Sequence, residues 1–225
     1  MIGIFDSGAG GLFALAELRR LNPTADIVYF ADRKNAPYGT KKRDELIELV
    51  VADIDKLARF GCERILMACC TASTVYDFLP EEHRRVSVPI IEPTAKEAVK
   101  KSKNKKVGIL STEATEKSMA FVEKIRKYEP MAATVSASAP ELVSLAESGE
   151  RDSRLSKDGL LKLENCVSVF RESGIDTLIL GCTHFAYFEN KIKDILHLNT
   201  VNSASVGARV MSEFAKEGEG KTVFL

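Results

Sequence analysis

The chain reads as an α/β protein of mostly parallel sheets, divided into two similar domains that face one another. Three observations predict this. Short apolar runs alternate with helix-period segments along the 225 residues, as they do where helices cover a parallel sheet. Ile2-Gly3-Ile4-Phe5-Asp6-Ser7 has a counterpart in Val107-Gly108-Ile109-Leu110-Ser111-Thr112, each an apolar strand with glycine second that ends in small polar residues. Two later strands match as well: Gly61 to Cys69 and Gly174 to Cys182 both run from glycine through polar residues and an apolar stretch to a small residue and a cysteine. The landmarks keep their order, with Cys69 lying 62 residues after Ser7 and Cys182 lying 70 after Thr112.

Taken in order, strands are expected at residues 2–5, 26–31, 63–68, 88–91, 107–111, 133–137, 177–181, 199–202 and 221–225. Leu12, Leu15, Leu18 and Leu21 form the apolar stripe of a helix that stops at Asn22-Pro23. Leu46, Leu49, Val50, Ile54 and Leu57 form another that ends at Phe60-Gly61. Apolar positions three and four apart, closed by proline or glycine, are what a core-facing helix requires. The break between the halves falls near Pro93, ahead of a lysine-rich stretch, and the segment from about 203 has room to cross back to the first half. The expected domains are residues 1–92 with 203–225, and residues 93–202. A single continuous doubly wound sheet is the alternative.

Composition narrows the function. The chain is 45% hydrophobic and 28% charged, as ordinary globular proteins are. With 32 basic and 32 acidic residues the formal net charge is zero, which offers no electrostatic case for nucleic acid or an anionic membrane surface. Lys100, Lys101, Lys103, Lys105 and Lys106 fit a solvated helix end, where cations suit the dipole. No apolar run approaches the ~20 residues of a membrane span, and the N-terminus enters a strand with no signal peptide. Five cysteines without framework spacing point to free thiols in a reducing cytoplasm.

Chemistry concentrates at the strand ends, where open α/β sheets hold ligands. Asp6-Ser7-Gly8-Ala9-Gly10-Gly11 joins the first strand to the first helix. It is either an anion cradle of free amides or a tight turn capped by Asp6 or Ser7. It lacks the spacing of a dinucleotide fingerprint and has no phosphate-loop lysine. The loop from Ala31 to Thr40 brings Tyr38 and Gly39 to the same edge. Cys69 ends the third strand beside Thr71 and Ser73, at a helix start that would lower its pKa. Cys62 and Cys166 read as inert buried thiols. Cys182 ends the matching strand, with Thr183 and His184 after it. The three histidines, His83, His184 and His197, do not pair at helical spacing, so His184 reads as a group that tunes Cys182 and not as a metal ligand.

Together these motifs resemble the glutamate racemases of the cofactor-independent aspartate/glutamate racemase superfamily. The residues concerned are Phe5-Asp6-Ser7-Gly8 with Gly10-Gly11-Leu12, Pro37-Tyr38-Gly39, Ala68-Cys69 with Thr71-Ala72-Ser73, Thr112-Glu113-Ala114-Thr115, and Leu180-Gly181-Cys182-Thr183-His184. The resemblance runs from residue 2 to about 210. It implies two flavodoxin-like domains with the active site in the cleft between them. Cys69 and Cys182 would be the two acid–base thiols, with Asp6 beside the first, and His184 and Glu147 beside the second. Ser7, Pro37, Tyr38, Gly39, Cys70, Thr71, Thr112, Thr115 and Thr183 would hold the amino acid. Neither a cofactor nor a metal is implied. The activity implied is L-glutamate to D-glutamate, supplying peptidoglycan precursors in the cytoplasm. The partner is a small acidic amino acid, with no nucleic acid and no membrane, and a homodimer left open. The chain departs from the pattern in three places. Cys70 stands where the family usually has asparagine, Asn202 where it often has aspartate, and the chain stops at Leu225, shorter than typical members. Cys70 motivates the alternatives: a racemase of a related acidic amino acid such as aspartate, or a non-catalytic acidic-ligand binder on the same fold.

Overall fold

The computed structural model describes residues 1–225. Nine strands run in chain order: β1 (Ile2–Asp6), β2 (Ile27–Ala31), β3 (Arg64–Met67), β4 (Ser87–Pro89), β5 (Lys106–Ser111), β6 (Ala133–Ser138), β7 (Thr177–Gly181), β8 (Asn199–Asn202) and β9 (Thr222–Phe224). Between them lie the helices α1 (Gly11–Leu21), α2 (Arg43–Arg59), α3 (Cys70–Ser73), α4 (Glu81–Val86), α5 (Ile91–Lys101), α6 (Glu113–Lys117), α7 (Ala120–Tyr128), α8 (Pro140–Glu147), α9 (Lys157–Val167), α10 (Glu189–Leu196) and α11 (Ser203–Ser212).

The strands form two separate sheets, ordered β4-β3-β1-β2-β9 and β6-β5-β7-β8, and every pairing is parallel. A single continuous sheet is therefore not what forms. Read from its other edge, the second sheet runs β8-β7-β5-β6, which repeats β4-β3-β1-β2. The strand matches seen in the sequence are thus matches of position: β1 with β5, and β3 with β7. β1 and β7 are buried at every residue, the mark of parallel strands covered on both faces.

The fourth strand is shorter than its apolar run suggested. It ends at Pro89, and Ile90–Ile91 already belong to the start of α5. Pro93 lies in the first turn of α5, where a missing amide hydrogen costs nothing. Lys100 and Lys101 close that helix, while Lys106 opens β5. After β8 the chain returns to the first sheet: α11 packs on α1 and α5, and β9 adds to β2 with Ile27 opposite Thr222.

The largest core cluster draws on both sheets, joining Ile4 and Leu66 to Ile109 and Ile179 through Ala204 and Met211 of α11. Two further clusters lie on the outer faces, one under α2 around Phe5 and Ile54, the other under α8 and α9 around Leu145, Leu163 and Phe170. Each fully buried aliphatic side chain contributes about 1.5–3 kcal/mol, so the shared cluster fastens the two sheets in one arrangement. No helix is long and apolar enough to cross a membrane.

Candidate active site

Because all strands are parallel, their C-terminal ends share an edge in each sheet. Cys69 follows β3 and forms the N-cap of α3; Cys182 follows β7. Both are nearly covered, at 6% and 7% exposure. Asp6 ends β1, which lies next to β3.

Around the first thiol, the Ser7 hydroxyl lies 3.4 Å from Cys69 Sγ, and the Ala72 amide donates to the same sulfur at 3.5 Å. Asp6 accepts from the Gly8 amide at 2.8 Å and from the Thr183 hydroxyl at 3.0 Å. It makes no hydrogen bond to Cys69, so it acts on that thiol through its field. It caps no helix either: α1 starts after Gly10 with no side-chain cap. Burial raises the Asp6 carboxyl above its ordinary range, against the pull of His184, the Gly8 amide and Thr183.

The expectation that a helix start lowers the Cys69 pKa is overturned. Burial pushes the thiol up to about 11, and the nearby Asp6 charge pushes the same way, outweighing the bonds from Ser7 and Ala72. A short helix end offers partial charges only, whereas a covered thiolate has lost its water. Cys182 is likewise pushed well above the usual range by burial, then by Cys70.

His184 serves the second thiol. Its Nδ1 lies 3.6 Å from Cys182 Sγ, and its Nε2 lies 2.5 Å from Glu147 Oε1. With Nε2–H given to the carboxylate, Nδ1 is left to face the thiol. Glu147, at the end of α8, also accepts from the Ala9 amide at 3.0 Å. The His184 bond holds its carboxyl at about 2, with the Ala9 amide helping against burial. The glycines of the first turn permit this approach. A Cβ at Gly8 would stand 2.7 Å from Glu147 Oε1, and one at Gly10 would stand 2.3 Å from Thr183 Oγ1. The turn thus accommodates the facing domain's side chains.

Hydroxyls gather across the cleft. Thr71 Oγ1 lies 2.9 Å from Thr112 Oγ1 and 3.2 Å from Thr115 Oγ1, and Thr112 caps α6. Gly39 faces Thr112, a Cβ there being 3.4 Å from the threonine's own. Pro37 is exposed on the same loop. A cavity of about 690 Å³ opens beside Gly39, walled by Thr74, Glu113, Lys117 and Lys124 among others.

Two candidates have partners beneath the site. The Tyr38 side chain is buried in the first domain, with its hydroxyl 2.7 Å from both Asp32 and Asp53, so it does not line the cleft. Cys70 turns into the shared core, 3.3 Å from the Ser203 hydroxyl, which donates to the Leu180 carbonyl at 2.8 Å. It is therefore not grouped with the threonines. Cys62 is buried as expected, but Cys166 is only half-buried, beside Glu141.

Other groups supporting the site escaped the sequence reading: Asp53, Asp32, Ser203, and Tyr187, whose hydroxyl donates to the Ala9 carbonyl at 3.1 Å. Only Asp53 left a trace, a carboxylate set on the apolar stripe of α2 between Val50 and Ile54. No group of three or more histidine, cysteine, aspartate or glutamate side chains is placed to hold a metal ion.

Two covered thiols stand at matched strand ends of two parallel sheets, with an aspartate near the first and an imidazole beside the second. The family model described as Asp/Glu/Hydantoin racemase matches residues 16–211, and the chain belongs to that family. The glutamate racemase of Aquifex pyrophilus is 38% identical over 96% of this chain and 84% of its own length. That of Geobacter metallireducens is 34% identical over 97% of this chain and 81% of its own. Among solved structures, glutamate racemase from Francisella tularensis in complex with D-glutamate superposes with a TM-score of 0.85 at 28% identity, covering 95% of this chain and 80% of that one. Picrophilus torridus aspartate racemase, with a TM-score of 0.67 at 20% identity over 96% of this chain and 95% of its own, shares the fold.

Proposed function

We propose that this protein interconverts L- and D-glutamate without a cofactor, using Cys69 and Cys182 as opposed base and acid. The observation that carries the reading is the pairing itself: equivalent strands β3 and β7 each end in a covered thiol. One thiolate takes the α-proton and becomes a thiol, while the other thiol gives its proton to the opposite face and becomes a thiolate. Charge and protons balance within the passage, and the two sulfurs leave it with exchanged protonation states; once product departs, proton exchange with water restores the starting form, while the D-enantiomer enters the other form and runs the same steps in reverse. The choice of glutamate is supported by the relatives, which are named for it.

Each neighbour has a physical part. Burial makes both thiolates strong bases, and the substrate's ammonium group, once bound between them, favours their charged form. His184, oriented by Glu147, exchanges a proton with Cys182 through Nδ1. Asp6, bonded to Thr183 yet close enough to act on Cys69, would couple the two sides. The hydroxyls of Ser7, Thr71, Thr112, Thr115 and Thr183 and the backbone of Pro37–Gly39 would hold the carboxylates and stabilise the enolate-like form that follows proton loss. Covering of the thiols excludes water from that carbanion. Cys70 takes part as the link to Ser203 beneath the site, not as a contact to the amino acid. D-Glutamate made this way would feed peptidoglycan precursors in the cytoplasm. The working domains are residues 1–92 with 203–225 and residues 93–202, a division supported by the membership of the two sheets.

The test follows the α-proton. In heavy water, purified protein should wash out the α-proton of both glutamate enantiomers and leave aspartate largely untouched. Cys69→Ala and Cys182→Ala should each cut the rate by about 10²–10⁴-fold. If neither glutamate enantiomer exchanges, the racemase reading fails; preferential exchange of aspartate would transfer the reading to that substrate.

A further inference from the structure

The loop after β2 brings Gly39 up to Thr112, and one buried cluster holds it. The Tyr38 hydroxyl lies 2.7 Å from Asp32 Oδ2 and 2.7 Å from Asp53 Oδ2. All three residues are at most 5% exposed. A phenol has one proton and gives it to one acceptor. Two ionised carboxylates so close to one phenol oxygen would leave one contact repulsive, so the second bond needs a proton on a carboxyl. Ionising the phenol does not resolve this, since burial and then the Asp53 charge raise Tyr38 far above its ordinary value.

The partners decide which carboxyl carries the proton. Asp32 accepts from Asn35 Nδ2 at both oxygens, at 3.1 and 2.9 Å, so both of its oxygens already serve as acceptors. Asp53 has Tyr38 as its one hydrogen-bond partner and lies on the buried face of α2 with Val50, Ile54 and Leu57. Lys56, on the same helix, sets its Nζ 3.6 Å over the Phe30 ring. Asp55 turns to His83 of α4 instead, at 3.0 Å. The charged groups acting on Asp53 are therefore Asp32 and Lys56, beside the Tyr38 hydroxyl.

We propose that Asp53 is a positioning residue: its carboxyl keeps a proton in the working state and, through Tyr38, fixes the 32–40 loop so that the backbone of Pro37–Gly39 meets the substrate. The Asp53 carboxyl donates to the phenol oxygen, and the phenol donates to Asp32. Burial pushes Asp53 up to about 7 even with the phenol proton turned toward it, and a bond donated by the carboxyl favours the proton further. A carboxyl raised in the folded state holds its proton below that value and loses it as pH rises through it. Above neutrality two charged carboxylates then compete for one phenol proton, and the loop loosens. Substrate affinity falls while the chemistry at the thiols is untouched.

Two measurements on wild type, Asp53→Asn and Tyr38→Phe test this, and only the kinetic one rests on the racemase reading. Asparagine has the size of aspartate and its amide can replace the carboxyl proton. Amide hydrogen exchange of the 32–40 segment, corrected for intrinsic rates, should lose about tenfold protection in wild type from about pH 6 to about pH 8.5. Asp53→Asn should stay flat, and Tyr38→Phe should be poorly protected at both pH values. The KM for glutamate should rise about fivefold in wild type over the same range relative to Asp53→Asn, with the ratio of kcat values constant. Protection or KM in Asp53→Asn that tracks wild type overturns the proposal, as does an effect confined to kcat. A protein inert toward glutamate would sink the racemase reading, while the exchange data still decide the role of Asp53.

Discussion

At the scale of single residues, the site trades exposure for basicity. Cys69 is raised to about 11, chiefly by burial, so its thiolate is scarce at neutral pH in the free protein. Alkylation of Cys69 by iodoacetamide should therefore be slow at pH 7 and climb about tenfold per pH unit toward pH 10. Peptide mass spectrometry of labelling rates checks this, and a plateau near pH 8 would contradict it. Glu147 sits at the other extreme, held at about 2 by His184. A lowered carboxylate contributes stability that is present above its ordinary value of 4.5 and fades as pH falls toward 2. Glu147→Gln should flatten that acid limb of the melting curve. It should also cost roughly tenfold to a hundredfold in kcat, because His184 loses the charge that orients it. Cys69 and Cys182 could be picked out as residues because thiols beside threonines at strand ends are unusual neighbours. The raised pKa could not, because it comes from what covers the sulfur.

At the scale of elements, the first turn is the tightest join. Residues 6–11 carry Asp6 and Ser7 and press against both Thr183 and Glu147. Gly10→Ala would force a methyl group to within 2.3 Å of Thr183 Oγ1 and 2.8 Å of the His184 backbone nitrogen. Overpacking of this kind costs about 1–3 kcal/mol, and here it separates the turn from the strand end that carries Cys182. The variant should melt several degrees lower and lose most of its α-proton exchange, as differential scanning calorimetry and the heavy-water assay would show. The glycines were visible in the sequence as a flexible turn. The purpose of Gly8 and Gly10 was not, because the side chains they make room for, Glu147, Thr183 and His184, lie more than a hundred residues away.

At the scale of the whole molecule, two sheets share one core. Met211 of α11 is fully buried in the cluster that joins them. Met211→Ala should destabilise the protein by about 2–5 kcal/mol and leave unfolding in a single transition, with near- and far-ultraviolet circular dichroism coincident in urea. Two separate transitions would show that the halves hold together less tightly than their shared cluster implies.

The sequence by itself determined where strands lie along the chain and the internal repeat, because parallel strands buried on both faces must be written as short apolar runs, and most such runs end where polar side chains begin. It likewise marked Cys69, Cys182 and His184, since local spacing places them at strand ends. Only the tertiary structure decided where Tyr38 and Cys70 point, which carboxylate bonds to which partner, and how far burial raises the thiols. Those outcomes depend on water lost when distant segments close over a group, and on partners such as Asp53 for Tyr38 or Thr183 for Asp6, which no local pattern along the chain encodes.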